Sequence, residues 1–320
     1  MPRFDDYIPA GVIPATLLAF DDDFAIDEGA SRDHLRDVAG VDGISAIAIN
    51  AHASEIHACT FDEQRRVLDL TMEEIGDRLP VINGVYADGS HDAARIARMA
   101  EEGGASCLLV LPPHSIFMMG GQTRPEMSIA HFKTIADATD LPIIVFQYPA
   151  TYAYPMDTLL RMIDEVPTIR AIKDWSPPMR HEENIRVLQN LDRPVNVLST
   201  NSSWLMSSLA MGCNGLLSGS GSVIADLQVA LFEAVRDNDL DRARAINDRI
   251  YPTAQCFYSE PFVDMHNRMK EALVMLGRLP RAVVRPPLTK LTEAELATIR
   301  VAIEEAGLTY EGADILKRAA

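Results

Sequence analysis

A short apolar run recurs eight times in the first two thirds of this chain, each time followed by a stretch with helical spacing. The runs fall at 11–16, 44–50, 80–86, 106–111, 141–148, 168–174, 195–199 and 215–218. The intervening stretches place apolar residues on one face, as with Val67, Leu68, Leu70 and Ile75, and glycines where helices should stop, as at Gly103 and Gly104. Strands this uniformly apolar are buried on both faces, which requires parallel pairing with helices outside. Eight such units in roughly 240 residues predict an α/β fold of the (β/α)8 TIM-barrel type. An open doubly wound sheet fits less well, because no glycine-rich phosphate turn follows the first run. Within this frame Asp62 is the expected N-cap of the second helix, Ser31 and Asp33 are cap candidates in the first, and 114–125 reads as a long loop. Beyond residue 239 the pattern becomes helical, at 240–250, 261–276 and 293–306, with Pro280, Pro286 and Pro287 as punctuation. The expected organisation is a barrel over 1–239 and a C-terminal helical segment over 240–320.

A barrel of this type carries its chemistry at the carboxyl ends of its strands. Among the residues expected there, Lys173 is the only lysine or arginine. Alternation along 168–174 puts Ala171 and Lys173 on one face, and Arg170 and Ile172 on the other. A small residue beneath the lysine leaves room for its stem. Desolvation there disfavours the ammonium and yields an amine able to attack a carbonyl. That chemistry suits imine formation with a small 2-keto acid and needs no cofactor. After the second run, Ala51, Ala53 and Ser54 are small enough to let the backbone N–H groups of His52 and Ala53 approach a carboxylate. A net charge of -17 makes such local donors necessary for an anionic substrate, and it disfavours nucleic acid and anionic lipid as partners. The uncharged segment 195–225 is interrupted by Gly212, Gly215, Gly219 and Gly221, so it reads as buried barrel rather than a membrane span. Four cysteines without a CxxC pair and a start without an apolar core suggest a reduced, cytoplasmic protein. The histidines show no metal-binding spacing, and no metal is expected.

Several motifs then bear on identity: 11–16 (Gly-Val-Ile-Pro-Ala-Thr), Gly84-Val85, Glu102-Gly103-Gly104-Ala105, Leu111-Pro112-Pro113, 131–139 and Ile172-Lys173-Asp174. On these the chain resembles the dihydrodipicolinate synthase and N-acetylneuraminate lyase family of class I pyruvate-dependent aldolases, over nearly its whole length. The resemblance implies a TIM barrel, a homo-oligomer (dimer or tetramer), and a Schiff-base lysine on the sixth strand, where Lys173 stands. It also implies that the loop of Ser218 and Gly219 is a wall of the substrate pocket.

The departures from the family pattern are chemical. Both hydroxyl side chains usual after the second strand are absent from Ala51-His52-Ala53. The tyrosine expected beside the lysine is Phe146, which has no proton to give and can only line the pocket. His114 and Ser115 replace an aromatic pair, and Thr151 replaces the arginine that binds a dicarboxylic aldehyde in the synthases, which argues against that activity. Tyr148, one pleat beyond Phe146, and His52 are candidates for the missing proton transfer, with His114 a third group near the substrate. The apolar run 116–119 is either a lid, a subunit contact or a loop on its own barrel. Two functions follow. One is a Schiff-base lyase or aldolase acting on pyruvate or a 2-keto-3-deoxy acid through Lys173. The other is a keto-acid-binding protein with little or no turnover.

Overall fold

Apolar side chains crowd both faces of the eight short runs, and helices cover them. The computed structural model describes residues 4–5 and 7–308, so the two outer ends of the 1–239 and 240–320 division lie outside the described residues. The strands are β1 Gly11–Pro14, β2 Ile47–Ile49, β3 Val81–Val85, β4 Cys107–Val110, β5 Ile143–Gln147, β6 Ile169–Asp174, β7 Asn196–Ser199 and β8 Gly215–Ser218. All are paired in parallel, in the order β1-β8-β7-β6-β5-β4-β3-β2. Parallel bridges Val12–Ile44 and Ala15–Ala48 join β1 to the β2 side and bring the sheet round to a barrel.

The helices are α1 Glu28–Ala39, α2 Phe61–Ile75, α3 Ser90–Glu102, α4 His114–Met118, α5 Pro125–Ala136, α6 Met156–Glu165, α7 Pro178–Leu188, α8 Leu205–Ala210, α9 Gly221–Arg236, α10 Leu240–Phe257, α11 Met265–Met275 and α12 Glu293–Glu305. Three local expectations need correction. The N-cap of α2 is Thr60, not Asp62. Thr60 Oγ1 accepts from the Glu63 N–H at 3.3 Å and Glu63 Oε2 accepts from the Thr60 N–H at 2.8 Å, a capping box that satisfies two orphan donors at once. Asp27, not Ser31 or Asp33, caps α1, accepting from the Ala30 N–H at 3.0 Å. The segment after β4 is not an open loop but α4 followed by a 3-10 turn at Gly121–Thr123, because Phe117 is drawn inward against the ring of Tyr154 at 4.8 Å. Met118 and Met119 remain exposed at the tip.

The C-terminal helices pack on the barrel at the end where the strands finish. A 3-10 turn at Phe262–Asp264 joins α10 to α11 and, with the start of α11, places Phe262 and Met265 over the mouth, beside Tyr258 from the end of α10.

Candidate active site

Lys173 is the last inward-facing residue of β6, and its neighbours in register are Phe146 on β5 and Leu198 on β7. The side chain is 5% exposed. Its Nζ lies 4.1 Å from the centre of the Phe146 ring and donates no hydrogen bond to any described residue. Burial without a countercharge lowers its pKa to about 7, so the free amine is well populated at neutral pH. The molecule holds a second buried lysine for comparison. Lys270 on α11 is 1% exposed, but it forms an ion pair with Glu55 and donates to the Val283 carbonyl at 2.7 Å. One buried lysine is fully partnered and the other is not.

The unpartnered amine opens on a chamber of about 270 Å³ lined by Ala15, His52, Ala53, Asn201, Ser202 and Gly219 among others. The turn after β2 forms one wall. Asn50 and Glu55 at its two ends take left-handed backbone conformations, φ 49° and 54°. Asn50 is held there by Asn83 Oδ1 at 2.8 Å and by the Gln64 carbonyl at 2.9 Å. Gly84 is required beneath it, since a Cβ at that position would come within 1.7 Å of the Asn50 carbonyl oxygen. Ser54 Oγ donates to the Thr16 carbonyl at 3.1 Å and accepts from the Ala51 N–H at 3.3 Å. None of the turn's internal hydrogen bonds uses the N–H of His52 or Ala53. Glu55, wholly buried, locks the far end to α11 through Lys270 and accepts from the Arg285 N–H at 3.1 Å.

Three side chains from distant parts of the chain meet above this wall. Tyr148 Oη lies 2.8 Å from His52 Nε2 and 2.7 Å from His114 Nε2. A hydroxyl can donate to one imidazole while it accepts from the other. Burial holds the Tyr148 phenol well above its ordinary pKa, so it stays protonated. Burial, and then the nearby Lys173 charge, hold His52 well below the ordinary histidine range; burial also lowers His114. All three groups are therefore neutral near pH 7. The rings also pack on one another, with Phe146 and Tyr148 edge to face at 4.6 Å.

On the outer face of β6 the next residue, Asp174, is wholly buried. It accepts from Asn184 Nδ2 at 2.8 Å and lies 2.8 Å from His181 Nδ1, whose Nε2 is 2.7 Å from Ser208 Oγ. Burial works against a charged His181, but the hydrogen bond and charge of Asp174 outweigh it and lift the imidazole to about 9. This Asp-His-Ser order copies a nucleophilic triad in sequence of contacts only. Asp174, His181 and Ser208 all have 0% exposure and face the helices, so they brace the end of β6 next to Lys173.

Of the residues expected from the sequence, Lys173, His52, Ala53, Phe146 and Gly219 line the inner chamber. Tyr148 and His114, with His52, line a contiguous outer one. Ser218 stands behind the wall, 3.3 Å from Tyr258 Oη and 3.1 Å from Ser202 Oγ, so it supports the site without lining it. Tyr258, Phe262 and Met265 also line the inner chamber; they come from the C-terminal segment and carry no motif that marks them in the sequence. The Glu55–Lys270 pair has one local signal in the sequence, a lysine amid the apolar positions of α11. Among the described residues, no group of three or more histidine, cysteine, aspartate or glutamate side chains is placed to hold a metal ion.

Residues 8–306 match the model of the dihydrodipicolinate synthetase family. The chain is 28% identical over 301 residues to an uncharacterized DapA-like lyase of Halobacterium salinarum, covering 93% of this chain and 94% of that one. It is 27% identical over 310 residues to the 4-hydroxy-tetrahydrodipicolinate synthase of Methanopyrus kandleri, covering 94% and 98%. Among solved structures it is similar in fold to YagE, a prophage protein of the dihydrodipicolinic acid synthase family from E. coli K12 crystallised in complex with pyruvate. That comparison has a TM-score of 0.85 at 22% identity, over 93% of this chain and 99% of that one.

Proposed function

Starting from the fact that this chain belongs to the dihydrodipicolinate synthetase family, we propose that it is a class I lyase or aldolase whose Lys173 forms an imine with pyruvate or a 2-keto-3-deoxy acid. The observation that carries the reading is the contrast between the two buried lysines. Lys270 has a carboxylate partner, whereas Lys173 has none among the described residues and faces the chamber. An unpaired buried amine is costly to a fold, and a nucleophile is the use that accounts for it. The free N–H groups of His52 and Ala53 supply donors for the keto-acid carboxylate.

Proton transfer runs through the His52–Tyr148–His114 chain in place of the family tyrosine. With His52 Nε2–H donating to Tyr148 Oη, and Tyr148 O–H donating to His114 Nε2, the Nδ1 lone pair of His52 is free to accept a proton. His52 then releases its Nε2 proton to Tyr148 as Tyr148 passes its own to His114. His114, which is half-buried, gives up its Nδ1 proton toward solvent as it takes this one at Nε2, so no net charge stays on a buried ring and the low basicity of His52 does not block the step. The second reading, a keto-acid-binding protein, draws on Phe146, which removes the family's proton donor. The connected chain of three neutral groups favours turnover over it. True dihydrodipicolinate synthase activity is disfavoured by Thr151. The four free cysteines fit the cytoplasm, and the exposed Met118 and Met119 fit a subunit contact in a dimer or tetramer. Among the described residues no helix is long and apolar enough to cross a membrane.

The test is exchange of the pyruvate methyl protons with deuterated solvent, followed by NMR. The wild-type protein should catalyse it. Tyr148→Phe should slow it by about 10²- to 10³-fold while pyruvate still becomes trapped on Lys173. Exchange at an unchanged rate in Tyr148→Phe would remove the relay; no exchange by the wild type would leave only the binding-protein reading.

A further inference from the structure

We infer that the outer chamber selects the carbonyl partner of the reaction, and that this partner is an uncharged aldehyde bearing a planar aromatic group, not a carboxylated aldehyde. This rests on the reading of Lys173 as the imine lysine.

The outer chamber holds about 440 Å³ and shares His52, Trp175, Phe262 and Met265 with the Lys173 chamber, so an adduct can extend from one into the other. Its volume falls within the range of roughly 300–1,000 Å³ common to small-molecule sites. The walls are flat. Trp175 and Phe262 stack at 4.6 Å and 30°, and Tyr86 meets His114 edge to face at 5.2 Å. Offset and edge-to-face contacts with such walls favour an aromatic guest over a flexible one.

Charge gives the second, independent argument. Among the described residues, no lysine or arginine lines the outer chamber, and Lys173 is the only cation lining the inner one. Burial holds His52, His57, His114 and His266 below the ordinary histidine range, so none supplies a positive charge near neutral pH. A second carboxylate would have to leave water for an apolar chamber with no countercharge, in a chain of net charge -17. An uncharged aryl group meets no such cost.

The chemistry balances without a further reagent. Lys173 amine and the pyruvate ketone form an imine and release one water. Loss of a proton from C3, through His52, leaves the enamine. The C3 carbon then bonds to the aldehyde carbon, and the aldehyde oxygen takes up a proton. One water cleaves the C=N bond, releasing a 4-hydroxy-2-oxo acid and restoring the amine. The cleavage direction is the reverse.

The experiment gives the purified full-length chain pyruvate with either benzaldehyde or succinic semialdehyde, and quantifies adducts by mass spectrometry. The expected kcat/KM is at least tenfold higher for benzaldehyde. Val263→Arg, which places a cation at the half-exposed rim of the outer chamber, should reduce that ratio at least tenfold. A smaller preference, a preference for succinic semialdehyde, or an unchanged ratio in Val263→Arg overturns the inference. Borohydride trapping of pyruvate separates the two levels of failure. Trapping without a benzaldehyde adduct defeats only the partner assignment. No trapping at Lys173 defeats the imine reading and this inference together.

Discussion

Lys173→Met is expected to abolish covalent capture of pyruvate and, at the same time, to give a more stable protein. The side chain is 5% exposed and its Nζ lacks a hydrogen-bond partner among the described residues. Its pKa falls from the usual lysine range above 10 to about 7. Holding a lysine proton that much less tightly corresponds to about 4 kcal/mol of lost folding stability near neutral pH and below. Removing the cation from the Phe146 ring forfeits about 1–2 kcal/mol, so the net gain from methionine is about 3 kcal/mol around pH 6. The sign with pH follows from proton counting. Between about pH 7 and 10 the unfolded chain binds the proton that the folded chain has released, so wild-type stability from this group rises with pH. The advantage of the methionine variant is therefore full below pH 7 and closes toward pH 10. Denaturant titrations of both proteins at pH 6 and pH 9.5 measure it. A variant less stable than wild type at pH 6 would mean that the lysine is structurally partnered after all.

Lys270→Met should do the opposite, destabilising the fold by about 3–5 kcal/mol and weakening keto-acid binding, because it strands the Glu55 carboxylate in an apolar site. Glu55 has 0% exposure, and its remaining partner is the Arg285 N–H at 3.1 Å. The residue also ends the turn that presents His52 and Ala53, so the loss reaches the chamber wall. The pair ties the C-terminal segment to that turn across more than 200 residues of sequence. The double variant Glu55→Gln/Lys270→Met removes both charges and should recover most of the stability. Thermal melts and denaturant curves of the single and double variants read this out. A single variant within about 1 kcal/mol of wild type would show that the ion pair contributes little.

The barrel was legible because its strands are apolar on both faces, a pattern that few other architectures tolerate. Lys173 was legible for a related reason: strand alternation places it inward, and no other lysine or arginine stands at a strand end. Other features depended on competing local signals. Both Thr60 and Asp62 are good caps, and only the reciprocal bond from Glu63 decides between them. The segment after β4 looks irregular because Pro113 and Gly120 bracket it, yet the burial of Phe117 is enough to fold five residues into a helical turn. The neighbours of the lysine were harder. His52, His114 and Tyr148 could be nominated singly, but their convergence on one hydroxyl is a product of three different βα loops. Tyr258, Phe262 and Met265 reach the mouth from helices whose sequence shows only amphipathic spacing, and nothing local marks which of their residues face a cavity.

The central claim is that Lys173 attacks the ketone of a 2-keto acid. Its most direct test is to incubate the protein with pyruvate, reduce with borohydride, and map the modified peptide by mass spectrometry. A single reduced pyruvate adduct on Lys173, forming with an apparent pKa near 7 and absent from Lys173→Met, is the predicted result. An unmodified protein, or an adduct on Lys270 or a surface lysine with Lys173 untouched, would contradict it.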